Sequence, residues 1–140
     1  MENVHQTKKQ ASNLLFLGFL LFLFGLITGL IVPAFASPRL AGSSHIEGGL
    51  NGIFLIVLKL ALSDKMLKTT YWLALYGTFA NWFALLFAAV FNAGKMLGVM
   101  AGGTEGPAIP EAVVAFLLIT LSLAMVIISI LVLVGLKRGF

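Results

Sequence analysis

The sequence contains no cysteine and few charged side chains, and each shortage excludes a class of protein. Without cysteine the chain has no disulfides, no thiolate chemistry and no iron–sulfur site. Charged residues make up 10% of the chain and hydrophobic residues 60%, whereas soluble domains carry roughly 25% charged residues. With a mean hydropathy of +1.07, the chain is predicted to be an integral membrane protein.

Acidic residues are scarce as well, with five against nine lysines and arginines, which gives a net charge of +4. In a soluble protein this excess would suggest nucleic acid or acidic partners, but here the positive-inside bias of membrane proteins explains it more simply. No basic patch is interleaved with aromatic residues, which argues against nucleic-acid binding. No Ser-His-Asp or H-E-x-x-H pattern is present either.

Long apolar segments occupy most of the chain. A helix needs about 20 apolar residues to cross about 30 Å of hydrocarbon, so the predicted fold is all-α, a single four-helix transmembrane domain over residues 1–140. The predicted helices are H1 (12–35), H2 (42–62), H3 (70–91) and H4 (110–136). The long glycine-rich connection 92–109 predicts a lid or a partly helical flap.

Positive charges are unevenly distributed between the connections. Arg39 and Lys95 lie on one side of the predicted bundle. The opposite side receives Lys8, Lys9, Lys59, Lys65, Lys68, Lys137 and Arg138. Both termini are therefore predicted to be cytoplasmic, in a bacterial inner membrane. Small-residue faces, including a G-x-x-x-G spacing in H1, allow close helix approach and predict a homo-oligomer, with a trimer as one candidate.

One polar, glycine-rich stretch, residues 43–52, interrupts H2 and contains His45, Glu47 and Asn51. Ionisable groups at membrane depth are costly and usually functional. At 1.5 Å per residue, Asn51 lies about 13 Å below the outer start of H2, and Asn81 about 15 Å above the cytoplasmic start of H3. These two carboxamides are thus predicted to lie at matching depth, where they can pair or hold a ligand together.

Glu47 lies one turn from Asn51 on the same helix face. His45 lies two positions from Glu47, about 200° around an ideal helix, so both reach one pocket only if the start of H2 is irregular. The glycines of the stretch permit such irregularity. A purely structural role remains open for these residues. The asparagines can serve as interhelical hydrogen-bonding groups, and His45 can cap H2.

Further candidates lie on H3 and H4. Thr78 shares an inward stripe with Asn81, and Tyr76 and Trp82 are close by in sequence. Glu111, at the start of H4, lies on the same side of the membrane as His45 and Glu47. It is a candidate for substrate binding, and it also suits the positive end of a helix dipole.

Several segments carry a family resemblance, with His-x-Glu-Gly and Tyr-Gly-Thr-x-Ala-Asn-Trp as its specific motifs. The matching segments are 29–39, 44–48, Asn51-Gly52, 72–82, 101–103 and 111–118. These segments follow one another in order along most of the chain, and in them the sequence resembles the small membrane-bound hydroxylaminobenzene mutases. The resemblance implies isomerisation of hydroxylaminobenzene to 2-aminophenol, a Bamberger-like rearrangement in nitroaromatic degradation.

The hypothesis for the reaction gives Glu47 and His45 the catalytic roles. Glu47 protonates the departing oxygen, and His45 orients it or guides water back to the ring. Asn51, Asn81 and Thr78 surround the hydroxylamino group, while Tyr76 and Trp82 stack on the ring. The sequence requires no cofactor, although in a second version His45 and Glu47 bind a divalent metal that acts as a Lewis acid.

Two other classes of function use the same residues. A small proton-coupled transporter could place the His, Glu and Asn side chains at its midplane, although four helices are few for alternating access. A structural membrane subunit is the third hypothesis, but it gives no reason to bury Glu47.

Overall fold

The structure, a computed structural model, describes residues 2–138, without the side chains of residues 2–4, 7, 64 and 65. Residues 1, 139 and 140 of the predicted domain, and the side chain of Lys65, lie outside this description. Within it the fold is all-α, with four α-helices, of which the first three are joined by short connections and the last two by a longer one. The helices are α1 (Glu2–Leu30), α2 (Pro38–Ala61), α3 (Asp64–Phe91) and α4 (Ala108–Lys137).

Each helix begins before the residue that hydropathy suggested, and at α2 and α3 a polar cap sets the start. The side chain of Ser37 accepts a hydrogen bond from the Leu40 amide, and proline follows it at the first helical position, where its missing N–H costs nothing. Ser63 caps α3 in the same way through the Met66 amide. The end of α1 is followed by a 3-10 turn, Val32–Ala34, that contains Pro33, since proline does not continue a helix.

Helices α1, α2 and α3 pack against one another, whereas α4 packs against α3 and the α3–α4 connection. Glycines line the α1–α2 crossing. A β-carbon on Gly25 would lie 2.7 Å from the Gly49 nitrogen, and one on Gly18 would lie 2.9 Å from the Gly52 carbonyl oxygen. Gly18 and Gly25 therefore bring two helix backbones into contact, as small residues allow. Gly29, which completes the G-x-x-x-G spacing with Gly25, lies against the His45 ring instead.

The α3–α4 connection is partly helical, as the sequence predicted. Asn92 ends α3 in the left-handed conformation, with φ 54°. A 3-10 segment, Lys95–Ala101, follows. Ala101 is buried with Leu40 and Ala41 of α2, so the connection covers the end of the bundle where α2 begins.

Within the described residues 2–138, three helices are long and apolar enough to cross a membrane: α1 over Lys8–Leu30, α3 over Met66–Phe91, and α4. Helix α2 is long enough but is not among them. Its first half is the polar stretch 43–52, and those polar residues lower its hydropathy.

Candidate active site

The polar cluster that the sequence predicted between α2 and α3 centres on Glu47. Oε2 of Glu47 accepts a hydrogen bond from Asn81 Nδ2 at 2.7 Å and a longer one from Asn51 Nδ2 at 3.3 Å. Asn51 is 7% exposed, and Glu47 and Asn81 are partly buried. The two asparagines of matching depth thus meet through one carboxylate oxygen rather than directly.

His45 does not join this cluster. Its Nδ1 lies 2.8 Å from the Gly25 carbonyl oxygen of α1, and its ring lies directly against Gly29. The expected irregularity at the start of H2 is absent, because α2 is one continuous helix from Pro38 to Ala61. Two positions along a regular helix turn a side chain by about 200°, so His45 contacts α1 while Glu47 contacts α3.

The other candidates on α3 have different surroundings. Thr78 is fully buried, and its hydroxyl donates to the Ala74 carbonyl of its own helix at 2.7 Å. Tyr76 is 41% exposed and its hydroxyl is hydrogen-bonded to Thr120 of α4. Five positions from Asn81, it lies about 140° around the helix, away from the cluster.

Trp82 occupies the junction of α1, α2 and α3. Its ring stacks on Phe24 with centroids 5.2 Å apart, and its indole nitrogen donates to Thr28 Oγ1 at 3.2 Å. On the α2 side, a β-carbon on Gly48 would lie 2.8 Å from Trp82 Cδ1. Trp82 also borders an apolar groove of about 320 Å³ between α1 and α3, which Thr28 lines as well.

Sequence reasoning missed three residues that hold this junction: Phe24, Thr28 and Ser44. Ser44 is fully buried and donates from Oγ to the Trp82 carbonyl oxygen at 2.9 Å. Its position could have identified it, because Ser44, Gly48, Asn51, Leu55 and Leu58 recur at spacings of three and four and all are buried. That spacing defines one helix face.

Glu111 holds the α3–α4 connection. Its carboxylate accepts hydrogen bonds from the backbone amides of Gly106 at 2.7 Å and of Lys95 at 3.1 Å. It also lies in the first turn of α4, where a negative charge suits the helix dipole. The structure therefore places Glu111 with the connection and does not bring it to Glu47.

The residues were also considered as metal ligands. Among the residues that the structure describes, no three His, Cys, Asp or Glu side chains form a group able to hold an ion. His45 and Glu47 are hydrogen-bonded to different neighbouring helices, and the metal-assisted version of the reaction stays a prediction.

Fold and site together define an apolar helical protein with a carboxylate held by two carboxamides between neighbouring helices. The chain belongs to the styrene oxide isomerase family, whose model matches residues 10–137. Two relatives carry the name that the sequence resemblance predicted, both from Ectopseudomonas oleovorans. Hydroxylaminobenzene mutase HabB is 46% identical over 135 residues, covering 92% of this chain and 82% of its own. Hydroxylaminobenzene mutase HabA is 40% identical over 127 residues, covering 86% of this chain and 94% of its own. No solved structure matches the chain.

Proposed function

We propose that this chain is a membrane isomerase that converts hydroxylaminobenzene to 2-aminophenol, in the breakdown of nitroaromatic compounds. The names of the two relatives support the reaction. The single structural observation that carries the site is the carboxyl of Glu47, held by Asn51 and Asn81. Such a rearrangement needs an acid beside an apolar aromatic substrate, and this group lies in an apolar helical bundle.

The hydrogen bonds suggest which oxygen of Glu47 carries the proton. Both carboxamides donate to Oε2, so Oε2 acts as the carbonyl-like acceptor. In the neutral acid that the proposal requires, Oε1 bears the hydrogen and can donate it. Because Glu47 is only partly buried, a small ligand can approach this O–H.

In the proposed reaction Glu47 Oε1–H protonates the hydroxyl oxygen of the substrate. The N–O bond breaks, its electron pair leaves with water, and positive charge spreads over the nitrogen and the ortho carbon. Water then adds at the ortho carbon. One proton returns to Glu47, and the ring hydrogen at that carbon moves to the nitrogen, which gives the amino group. Atoms and charge balance, and the carboxyl is regenerated.

Other side chains take supporting roles in this proposal. Asn81 and Asn51 fix the carboxyl and contact the hydroxylamino group. Trp82, adjacent to Asn81 in α3, presents an aromatic surface to the ring, since a cationic intermediate is attracted to an aromatic face. His45, on the α1 side of α2, remains a second candidate for moving protons. The positions of Tyr76, Thr78 and Glu111 give them roles in packing and in holding the connection.

The membrane arrangement is part of the proposal. We infer that α2 crosses the bilayer with the other three helices, because it packs along both α1 and α3. Its polar half then lies between helices, where polar groups in a membrane are tolerated. The uneven distribution of lysine and arginine supports cytoplasmic termini in a bacterial inner membrane, and exposed apolar faces support a homo-oligomer.

The decisive experiment measures 2-aminophenol formed from hydroxylaminobenzene by purified protein. Glu47→Gln removes the proton and keeps the shape, and we expect kcat to fall by roughly 10²–10⁴-fold, the usual contribution of a general acid. Glu105→Gln is the matched control, because Glu105 is an exposed acid in the connection and should not matter. An active Glu47→Gln protein would refute the acid role.

Two further experiments distinguish acid catalysis by Glu47 from catalysis at His45 and from metal assistance. His45→Ala tests whether the chemistry lies instead on the α1 side of α2, which a larger loss of kcat than in Glu47→Gln would indicate. Elemental analysis and exhaustive chelation test metal assistance. A bound metal whose removal abolishes turnover would replace the proton-transfer scheme by Lewis-acid chemistry.

A further inference from the structure

Ser44 differs from several other serines and threonines of the described helices in where its hydrogen bond goes. A hydroxyl in an apolar helix usually donates to the carbonyl three or four residues back in its own helix. Ser43, Thr78, Ser122 and Ser129 all do so. Ser44 instead donates across the interface, from α2 to the Trp82 carbonyl of α3.

This bond lies next to the polar cluster on both helices. Ser44 precedes Glu47 by three positions, which places the two on neighbouring parts of one helix face, about 4.5 Å apart along the axis. Trp82 follows Asn81 directly. The α2–α3 interface is therefore joined at two adjacent points, Ser44 to the Trp82 carbonyl and Glu47 to Asn81. Two such points constrain both the sliding and the rotation of one helix against the other.

Next to the two bonds, side-chain packing adds little to this constraint. The residue beside the two bonds on α2 is Gly48, which lies directly against Trp82 and against Gly25 of α1. Small residues permit close approach but offer no side chain to interlock. Apolar clusters that include Leu40 and Leu55 of α2 hold the two helices together on either side of this level. At the level of Gly48 itself, the register of α2 on α3 therefore depends on the polar contacts.

We propose that Ser44 is a positioning residue that sets the register at which Asn81 meets Glu47. This inference rests on the proposed function for its activity readout, since Ser44 acts through the Glu47–Asn81 contact and does not touch the substrate. Loss of its hydroxyl should let α2 shift on α3 and misplace the acid. Misplacement by about 1 Å can cost up to roughly 10²-fold in rate.

The test compares Ser44→Ala with Ser43→Ala, its sequence neighbour, whose hydroxyl bonds within α2 to the Arg39 carbonyl. For Ser44→Ala we expect kcat to fall about tenfold or more, with KM changed less than about threefold. Ser43→Ala should match the parent protein. In an Asn81→Ala background, Ser44→Ala should cost nothing further, because the contact it positions is already gone.

A spectroscopic readout separates this inference from the proposed reaction. The carboxyl infrared band that Glu47→Gln removes should shift in Ser44→Ala and stay in place in Ser43→Ala. An inactive parent protein would refute the proposed function. The infrared band of the Glu47 carboxyl would still report whether Ser44→Ala changes the register of α2 on α3. An unshifted band in Ser44→Ala, or an equal kcat loss with and without Asn81, would overturn the role of Ser44.

Discussion

Gly48 offers the most direct test of the close helix junction on which the site depends. It faces both α1 and α3. A β-carbon at this position would lie 2.6 Å from the Gly25 α-carbon and 2.8 Å from Trp82 Cδ1. The neighbouring Gly49 is its natural control, because a β-carbon there meets nothing within 4 Å. Gly48→Ala and Gly49→Ala therefore make the same chemical change on adjacent residues of one helix.

The two substitutions should change the free energy of unfolding in opposite directions. Carbon atoms in contact lie about 3.5–4.0 Å apart, so Gly48→Ala forces α1 and α2 apart by about 1 Å. Overpacking of this kind costs typically 1–3 kcal/mol, while replacing a mid-helix glycine by alanine gains about 0.5–1 kcal/mol. We expect Gly48→Ala to lower the free energy of unfolding by about 1–2 kcal/mol. Gly49→Ala should raise it by up to about 1 kcal/mol.

Equilibrium unfolding in mixed micelles, titrated with a denaturing detergent and followed by tryptophan fluorescence, measures both variants. Because Trp82 contacts Gly48 and adjoins Asn81, Gly48→Ala should also lower turnover, whereas Gly49→Ala should not. Equal stabilities for the two variants would contradict the packing of α1 against α2 at Gly48.

Two further perturbations test contacts outside this crossing. Trp82→Phe removes the hydrogen bond to Thr28 and can keep the stacking on Phe24. In a double-mutant cycle of unfolding free energies with Thr28→Val, the coupling energy should be about 0.6–1.7 kcal/mol, from the average to the maximum found for such bonds in a membrane protein. Strict additivity of the two substitutions would show that the bond contributes nothing. Glu111→Ala removes the acceptor for two backbone amides and should speed proteolysis of the α3–α4 connection by several-fold. Glu105→Gln removes only an exposed ion pair with Lys95 and should leave cleavage unchanged; the same cleavage rate in both variants would refute the role of Glu111.

The apolar pattern was sufficient to predict the helices but not their ends. Hydropathy placed the start of H3 at residue 70, whereas α3 begins at Asp64 after its Ser63 cap. Hydropathy is averaged over about the number of residues that crosses a membrane. It cannot locate a helix cap, because a cap depends on one side chain and one backbone amide. Ser37 and Ser63 could have been recognised from the helix-start signals of their residue types.

The site was predictable where it depended on helical periodicity. Counting residues at 1.5 Å each brought Asn51 and Asn81 to one depth, and the structure joins both to Glu47. The partner of His45 was not predictable in this way, because it is a backbone carbonyl of α1. A carbonyl carries no residue-type signal, so such a contact appears only once the helices are packed.

The most apolar helix and the helix with the polar candidate residues are different helices in this chain. The span assigned to α4 is 17% buried, against 44% for that of α3, and α4 packs against one long helix. An apolar helix with so exposed a surface suits contact with lipid. Helix α2 is the long helix outside the candidate spans, and it contains Ser44, His45, Glu47 and Asn51. Of these polar residues, Ser44, His45 and Glu47 bond to neighbouring helices, and Asn51 bonds to Glu47 within α2. In this chain, the long helix that looks least like a membrane span is therefore the helix that contains the polar groups of the candidate site.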